Sequence, residues 1–502
     1  LTSFGEWQSL SSSLQRENLQ LVPQSTLLDQ LWNQETDPMW TRPQFTRVVA
    51  INVAGMTWRE KLSAVRNELQ SVGADAMIVT ALDEVAWLLN IRGKDLPYAP
   101  LLKAFVIVSH RDVRIYVPPG KLMMPERDAL AAYNCYSNVI NYYETVYSDL
   151  RKAPELKILI PTGGTFQRGA SAAIAQAITA SKRLFQPSPI IYLKAQKNPA
   201  EIKGMKKAHL RDAVAITSDD KREDKFKYAT RATQAGYRGL SMRTRVAFGP
   251  NGAEPEYRAT NATNRRIFTN STLIIQSGGQ YEEGTTIVTR TLHYGVPSRE
   301  ERRAYTTVLR SLAAFATLQS PATLPAAHAD PVARAPLWAH RQDYMLPTGH
   351  GVGAALNRRE GRSYKILDTN LHTFREGYFV TSAWHESRKF GVKLSNVLEV
   401  VQRPSGYLGF RETTLLPYEP KLIDRNLLTD YEINWLNTYN KRIRETIGPE
   451  LTAQGLTDVY YWVMNKTIEI ELPSKNKKQP NSAIVNHVTA VLICITFVIN
   501  VI

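Results

Sequence analysis

Residues 271–295 read "STLIIQSGGQYEEGTTIVTRTLHYG", two β-rich runs on either side of a glycine-containing turn. A second ribbon of the same kind, "GYFVTSAW" followed by "FGVKLSNVLEVVQ", lies within residues 377–402. Between the ribbons, "SREERRAYTTVLRSLAAFATL" at 298–318 has apolar residues at helical spacing. Because strands and helices segregate in this part of the chain, we predict an α+β domain with an antiparallel sheet.

The preceding part, residues 56–195, alternates helices with strands. "WREKLSAVRNELQSVGA" has helical spacing and ends near Gly73, and "DAMIVTA", "KAFVIVS", "VRIYVP" and "KILIP" are typical of strands. "DEVAWLLNIRG" predicts a short helix closed by Gly93. This pattern indicates an α/β domain, and the chain as a whole is therefore predicted to be an α+β and α/β multidomain protein.

We divide the chain into five segments. An α/β domain, an α+β domain and a helical extension make up the body of the chain, between a short N-terminal segment and a polar linker with an apolar tail. The N-terminal segment carries a helical pattern but no initiator methionine, so we expect it to be a processed or fragmentary end. The bounds are 1–47, 48–195, 196–425, 426–472 and 473–502.

The composition is ordinary for a globular protein, but the chain is basic, with a net charge of +16. Its Lys and Arg residues are scattered rather than grouped into one stripe, which favours a basic surface over a dedicated anionic partner. We predict no nucleic-acid partner. The two cysteines, Cys135 and Cys494, are far apart, so we expect neither a disulfide nor a cysteine-based metal site.

The tail "VTAVLICITFVINVI", residues 488–502, is almost wholly apolar. Asn481 begins a run of small residues typical of a lipid-anchor (GPI) site, although the spacer is shorter than the usual ~8–12 residues. We predict C-terminal membrane attachment at the cell surface, by a lipid anchor or a tail anchor. The alternative is a buried terminal strand or helix in a cytoplasmic protein. The glycosylation sequons at Asn261, Asn270 and Asn465 weakly favour secretion.

Several motifs, taken in order, resemble aminopeptidase P. They include "FGPNGAEPEYRATNATNR" at 248–265, the 277–295 ribbon, "PTGHGVGAALNRREG" at 347–361 and "LTDYEINWLNTYNKRI" at 428–443. This family is the X-prolyl aminopeptidase branch of the creatinase-like metallopeptidases. The resemblance implies a creatinase-like α/β domain followed by a pita-bread domain, with residues 1–47 as the remnant of an earlier creatinase-like domain. It also implies a homodimer.

Enzymes of the aminopeptidase P family bind two divalent metals, usually manganese, with two Asp, one His and two Glu. When the motifs are carried over, the Asp positions are Gln276 and Ile287, and the Glu positions are Ala383 and Ser395. Only the histidine, His350, remains. One histidine and neutral oxygens are a poor match for two divalent cations, so we expect no metal cofactor.

Other positions of the family site have changed as well. The substrate-facing histidine aligns with Glu256, the proton-shuttling histidine with Arg359, and the arginine beside the last ligand with Lys393. We do not expect the nearby carboxylates to replace the lost ligands; these are Glu282, Glu283, Glu360 and Glu386. Several basic residues are expected to repel a cation from the cleft and to favour an anion; they are Arg358, Arg359, Arg388 and Lys389.

These substitutions predict that the chain is not an enzyme. The predicted function is an aminopeptidase P-like pseudoenzyme, a binding or scaffold protein that takes a proline-containing peptide or protein, or the acidic end of a peptide. The alternative is an active metal-dependent X-prolyl aminopeptidase, which removes an N-terminal residue before proline. A drifting gene copy without a selected role is a third reading. The pita-bread fold is expected to persist, with the five former ligand positions in one cleft.

Overall fold

The computed structural model describes residues 2–24, 45–131, 140–220, 229–255, 257–344, 347–364, 373–381, 384–386 and 389–472. Within them, an α/β domain is followed by a larger α+β domain and two C-terminal helices. The fold class predicted from the patterns is thus confirmed. The five segment boundaries proposed above, including the break between 195 and 196, stay predictions.

The first domain is built on a six-stranded mixed sheet in the order β6-β5-β4-β2-β7-β8. β4 pairs antiparallel with β2 and β5, whereas β7 pairs parallel with β2 and β8. The elements are α1 (Phe4–Arg16), β1 (Arg47–Val48), α2 (Ile51–Ala54), α3 (Trp58–Ser71), β2 (Ala76–Val79), α4 (Leu82–Leu88), β3 (Ile91–Arg92), β4 (Phe105–Ser109), β5 (Val113–Val117), α5 (Met124–Ala131), β6 (Ile140–Tyr142), α6 (Val146–Arg151), β7 (Ile158–Pro161), α7 (Ala172–Ala177), β8 (Arg183–Gln186) and α8 (Ile190–Ala195).

Local signals explain several of these elements. α3 begins with a capping box in which Thr57 and Glu60 bond to each other's backbone N–H groups, and its apolar face is buried against the sheet. The predicted short helix α4 ends earlier than expected. It stops at Leu88, and the chain reverses at Asn90, whose φ of 54° places it in the left-handed region. An asparagine tolerates that region, so Gly93 is not the residue that closes the helix.

The second domain carries a six-stranded sheet in the order β14-β21-β20-β17-β15-β16 and a three-stranded sheet β10-β11-β13, with all pairs antiparallel. The elements are α9 (Pro199–Asp220), α10 (Ala229–Ala232), β9 (Tyr237–Leu240), β10 (Arg245–Phe248), β11 (Leu273–Ser277), β12 (Gly279–Tyr281), β13 (Val288–Leu292), α11 (Arg299–Ala316), β14 (Ser320–Pro321), α12 (Ala329–Trp338), β15 (Gly349–Gly351), β16 (Glu360–Tyr364), β17 (Phe379–Thr381), β18 (Trp384–Glu386), β19 (Gly391–Lys393), β20 (Val397–Gln402), β21 (Tyr407–Glu412), α13 (Asp430–Ala453) and α14 (Thr457–Lys466).

The helices of the second domain pack together through one apolar cluster. α11 and α13 each begin with a capping box, Ser298 with Glu301 and Thr429 with Glu432. Their buried faces meet in a cluster that includes Tyr305 and Tyr439. The predicted helical extension is therefore packed against the second domain rather than separate from it.

Buried ion pairs connect the two domains. Lys194, on α8, lies 2.9 Å from the Asp83 carboxylate of α4 and 2.6 Å from the Glu360 carboxylate of β16. Lys197 contacts the other oxygen of Glu360. Burial lowers the pKa of Lys194, but the carboxylates of Asp83 and Glu360 raise it above its ordinary value. These charges compensate one another at a place where their side chains are almost fully buried.

The tail predicted to anchor the chain, residues 473–502, lies outside the described residues, and so do Asn481, Cys135 and Cys494. No described helix has both the length and the apolarity needed to cross a bilayer. The sequon residues Asn261, Asn270 and Asn465 are exposed. In the third sequon, however, the Thr467 side chain is fully buried and its hydroxyl donates to the Val463 carbonyl.

Candidate functional site

Two of the former ligand positions lie on either side of strand β13. Gln276, on β11, is paired with Thr289 of β13, and Thr289 in turn bridges to Ser395 just after β19. The Ser395 amide donates to the Thr289 carbonyl at 3.1 Å. The antiparallel register thus brings Gln276 and Ser395 to the two sides of one strand, and both side chains are half-buried. Neither carries a charge.

A third position, Ile287, belongs to the hydrophobic core. Its side chain is 2% exposed and packs in an apolar cluster with Val352, Phe379 and Val397. Val352 is two residues from His350, so Ile287 lies beside the glycine-containing motif at 347–361. A buried aliphatic chain has no atom that binds a cation. The fourth position, Ala383, lies outside the described residues, so the prediction that all five converge stays a prediction.

His350, on β15, is partly buried between the two domains. Its ring packs edge-on against Phe166 of the first domain, with ring centroids 5.8 Å apart. Burial, with Arg359 nearby, lowers the pKa of His350 to about 3. The ring is therefore neutral at physiological pH. Nδ1 lies 2.9 Å from the Gly351 carbonyl, and donation there leaves the Nε2 lone pair for a ligand.

The remaining positions carried over from the family have separate roles. The Lys393 ammonium donates to the carbonyls of Glu254 and Pro255, at 3.1 and 3.0 Å, and so holds the segment that leads to Glu256. Glu256 itself lies outside the described residues. Arg359 follows the glycine turn and lines a cavity described below.

Three of the four carboxylates considered as replacement ligands are held in ion pairs. Glu282 contacts Arg238, Glu283 lies 2.7 Å from Arg211, and Glu360 contacts Lys194. Nothing is described of the Glu386 side chain. Each described carboxylate is thus already compensated by a cation, as expected for residues with a structural role.

A cavity of about 560 Å³ opens beside His350, between the two domains. Its first-domain wall includes Tyr98 and Phe166. Its second-domain wall carries five arginines, Arg243, Arg245, Arg258, Arg358 and Arg359. We call it the arginine cavity. Sequence analysis found two of these arginines, Arg358 and Arg359. The other three lie far earlier in the chain and reach the same cavity only in the folded structure.

Of the other basic residues expected near the cleft, Lys389 is exposed and lies 3.9 Å from the Glu300 carboxylate on α11. It does not line the arginine cavity. Arg388 lies outside the described residues. The arginines of the cavity therefore come from the start of β10, from the loop that contains Arg258, and from the segment after Gly353.

Comparison with known families identifies three successive regions of the chain. Residues 41–201 match the creatinase/prolidase N-terminal domain. Residues 192–402 match metallopeptidase family M24, and residues 406–470 match the C-terminal region of peptidase M24. The α/β domain followed by the α+β domain is therefore a creatinase-like domain followed by a pita-bread domain.

Similar proteins define the family more narrowly than these domain matches do. Xaa-Pro aminopeptidase 1 of Dictyostelium discoideum is 35% identical over 442 residues, 82% of this chain and 69% of that protein. Xaa-Pro aminopeptidase ApepP of Drosophila melanogaster is 31% identical, covering 92% of this chain and 79% of its own length. The structure of X-prolyl aminopeptidase from Caenorhabditis elegans aligns with a TM-score of 0.85 and 28% identity, over 94% of this chain and 80% of that one. This chain belongs to the aminopeptidase P family.

These comparisons contradict two predictions drawn from the lost carboxylates. The relatives are named Xaa-Pro aminopeptidases, and the C. elegans protein is described as an enzyme with a di-nuclear active site. The prediction that the chain is not an enzyme is therefore wrong. The expectation that it uses no cofactor is wrong as well, because the matched family is one of metallopeptidases.

The described residues at those positions nevertheless do not fit two metal ions. Gln276 and Ser395 offer neutral oxygens, Ile287 offers none, and His350 is a single ligand. Among the residues that the structure describes, no three or more His, Cys, Asp and Glu side chains are grouped to hold a metal. Hard divalent cations need carboxylate oxygens to balance their charge. A metal site in this chain would need carboxylates from outside these described positions.

Proposed function

We propose that this chain acts on peptides with proline in the second position, as an Xaa-Pro aminopeptidase. The observation that carries the proposal is the likeness to named Xaa-Pro aminopeptidases across both domains, rather than over one motif. The proposed reaction removes the N-terminal residue before proline. It is the alternative that sequence analysis left open.

The position of the cavity supports this proposal. The cavity lies beside His350, where the family places its active site, and both domains contribute to its walls. Its volume of about 560 Å³ falls within the ~300–1,000 Å³ typical of small-ligand sites. A short N-terminal segment of a peptide therefore fits between Phe166 and the arginines.

Two roles in the site can be assigned to described residues without a metal. Neutral His350 has a free lone pair at Nε2 when its Nδ1 donates to the Gly351 carbonyl. The first-domain residues Tyr98 and Phe166 form one wall of the cavity. Arg359 stays protonated, so it cannot serve as a base in the position of the family's proton-shuttling histidine.

Because the described ligand positions lack carboxylates, the experiment measures bound metal and cleavage together. The purified chain is incubated with a Gly-Pro-containing peptide, with and without manganese. Bound metal is counted by mass spectrometry, and released N-terminal glycine by chromatography. We expect release of the residue before proline and no release from the same peptide with alanine in place of proline.

A His350→Ala variant is the matched control, since it removes the one family ligand that remains. Cleavage by the wild-type chain that is lost in this variant supports the proposal. A wild-type chain that leaves the peptide intact, with or without bound manganese, overturns it. Equal cleavage by both chains points to a contaminating peptidase and also counts against it.

Membrane attachment and dimerisation of the chain are separate proposals. We infer membrane attachment from the apolar run at 488–502, with Asn481 as the lipid-anchor site and glycosylation at the exposed sequons. The cytoplasmic alternative is supported by the C. elegans protein, which is described as cytosolic. A phosphatidylinositol-specific phospholipase that leaves the chain on membranes would exclude the lipid anchor.

A homodimer and a proline-containing partner stay predictions, to be tested by light scattering and by peptide binding.

A further inference from the structure

We propose that Tyr98 is a specificity-determining residue, whose ring packs against the N-terminal side chain of a bound peptide and favours apolar residues there. The inference rests on the proposed function, because it concerns the peptide held in the arginine cavity. It deepens that function by naming the class of residue that precedes proline. Binding can be measured without cleavage, so failure of this inference and failure of the aminopeptidase proposal are separate results.

Tyr98 occupies a backbone position where a tyrosine is unusual. It lies in the turn 96–99, which Leu96 and Ala99 close as an isolated β-bridge, and its φ is 68°. Because Pro97 precedes it and takes only a negative φ, the turn has the pattern of type II, whose third residue is normally glycine or asparagine. A tyrosine is strained there. Strain of this kind is concentrated at functional sites, where the surrounding structure maintains it.

A single buried amide from the second domain holds this turn. The Gln280 side-chain Nε2 donates to the Tyr98 carbonyl at 3.0 Å and to the Leu356 carbonyl at 2.8 Å. Its Oε1 accepts from the Thr285 hydroxyl at 2.8 Å. Leu356 directly precedes Asn357, where the second-domain wall of the cavity begins its last segment. One amide thus fixes the two walls relative to each other, and Gln280 is the positioning residue of Tyr98.

The base of the same loop is anchored within the first domain. The Asp95 amide donates to the Leu101 carbonyl at 3.0 Å, and the Asp95 carboxylate accepts from the Lys103 amide at 2.6 Å. That carboxylate is buried and contacts the Lys121 ammonium. The backbone that carries the Tyr98 ring is therefore held at both ends before a peptide arrives, which lowers the entropic cost of binding.

The side chain held in this way is exposed at the cavity. Tyr98 is 43% exposed and lines the arginine cavity together with Phe166. The Phe166 ring in turn contacts the ring of His350, so the aromatic wall begins at the remaining family ligand. The proposed reaction already requires proline on one side of the cleaved bond. The N-terminal residue on the other side is free to vary, and it is the residue that this wall selects.

The chemistry of an aromatic wall favours an apolar side chain. A tyrosine presents a large, rigid face at a low cost in conformational entropy, and apolar area that is removed from water against it contributes to binding. A polar side chain of similar size instead loses its hydrogen bonds to water against that face. Leucine and asparagine make the comparison directly, because their side chains have nearly the same shape.

The test compares two fluorescently labelled peptides by anisotropy, with a chelator present to prevent cleavage. One has the sequence Leu-Pro-Gly-Ser-Gly and the other Asn-Pro-Gly-Ser-Gly. We expect the wild-type chain to bind the leucine peptide at least about tenfold more tightly, as for burial of one aliphatic side chain. Tyr98→Asn removes the ring and should lose most of this preference. Tyr98→Phe keeps the ring and should retain it.

Thermal unfolding separates this role from a purely structural one. Asparagine tolerates the left-handed region better than tyrosine does, so Tyr98→Asn should melt no lower than wild type although it has lost the preference. Gln280→Met keeps most of the side-chain volume but removes both donors, so it should lose the preference as well. A preference that persists in a folded Gln280→Met chain overturns the positioning role of this amide.

The matched control is Tyr431→Asn, which replaces an exposed tyrosine on α13 that does not line the cavity. It should keep the wild-type preference. Equal binding of the two peptides by wild type, no binding of either, or a full preference in Tyr98→Asn overturns the proposal. Cleavage of both peptides without a preference leaves the aminopeptidase proposal standing and overturns this one. Preferential binding of the leucine peptide that is never cleaved, even with manganese, supports this inference and counts against the aminopeptidase proposal.

Discussion

At the scale of single residues, Arg290 shows how a side chain can organise the site without entering it. It is buried on β13 and donates to the carbonyls of Ser395 and Leu416, at 2.8 and 2.9 Å, and to the hydroxyl of Tyr439 at 3.1 Å. Its guanidinium also lies 4.6 Å from the centre of the Tyr418 ring. One side chain thus ties the segment around Ser395 to helix α13.

Replacing Arg290 tests this role. Arg290→Met keeps much of the volume but leaves several buried acceptors without donors, each worth about 1–3 kcal/mol. We expect the free energy of unfolding to fall by about 3 kcal/mol or more. Urea denaturation followed by circular dichroism measures the change. The exposed Arg299→Gln, at the start of α11, should stay within about 0.5 kcal/mol of wild type. Similar losses in both variants would contradict the role assigned to Arg290.

At the scale of elements, β19 approaches the turn Gly249–Ala253 more closely than side chains permit. A Cβ placed on Gly391 would lie 1.8 Å from the backbone oxygen of Gly252. The contact positions β19, which leads to Lys393 and Ser395. Glycine is required here because the neighbour is backbone and cannot rotate away.

Gly391→Ala should therefore destabilise the second domain, since the strand must move away from the turn. We expect a loss of about 2 kcal/mol or more, in the range of overpacked sites, with faster hydrogen exchange in β18 and β19. Gly164→Ala is the control, because a Cβ there meets nothing within 4 Å. Unchanged exchange in β19 of the Gly391 variant would show that the approach is not structurally important.

At the scale of the whole molecule, the two domains are held together by charges that neither could bury alone. Lys194→Met removes the cation between Asp83 and Glu360, and both carboxylates stay buried. We expect the free energy of unfolding to fall by about 3–5 kcal/mol, the usual result of removing one partner of a buried pair. Lys203→Met, exposed on α9, should change little.

The same ion pairs imply that the free energy of unfolding depends on pH. Burial raises the pKa of Glu360, but Lys194 and Lys197 lower it below its ordinary 4.5 overall. A carboxyl group whose pKa is lower in the folded state than in the unfolded state stabilises the fold at a pH above its unfolded-state pKa. This stabilisation is lost as the pH falls through the pKa of the folded state. The advantage of wild type over Lys194→Met should thus be present near neutral pH and shrink below about pH 4.5. An advantage that is unchanged in acid would contradict this account.

Much of the fold was predictable because its signals are local. In a capping box the two residues, such as Thr57 and Glu60, are three positions apart in the chain. Short apolar runs mark β2, β4 and β5 without knowledge of their partners. The exception, the end of α4 at Leu88, depended on one residue, Asn90, in a left-handed conformation. The inference about catalysis went wrong for a different reason. It gave the lost carboxylates more weight than the likeness of both domains to working enzymes.

By itself, the sequence determined the two-domain class, the helices with their caps, the family resemblance and the uncharged side chains at Gln276, Ile287 and Ser395. Only the tertiary structure decided which charges meet. Arg243 and Arg358 are more than one hundred residues apart in the chain, as are Asp83 and Lys194. Chain pairing and domain packing bring the first two to one cavity and the second two into one ion pair. Electrostatic energy depends on distance in space and on burial, which no local pattern of residues contains.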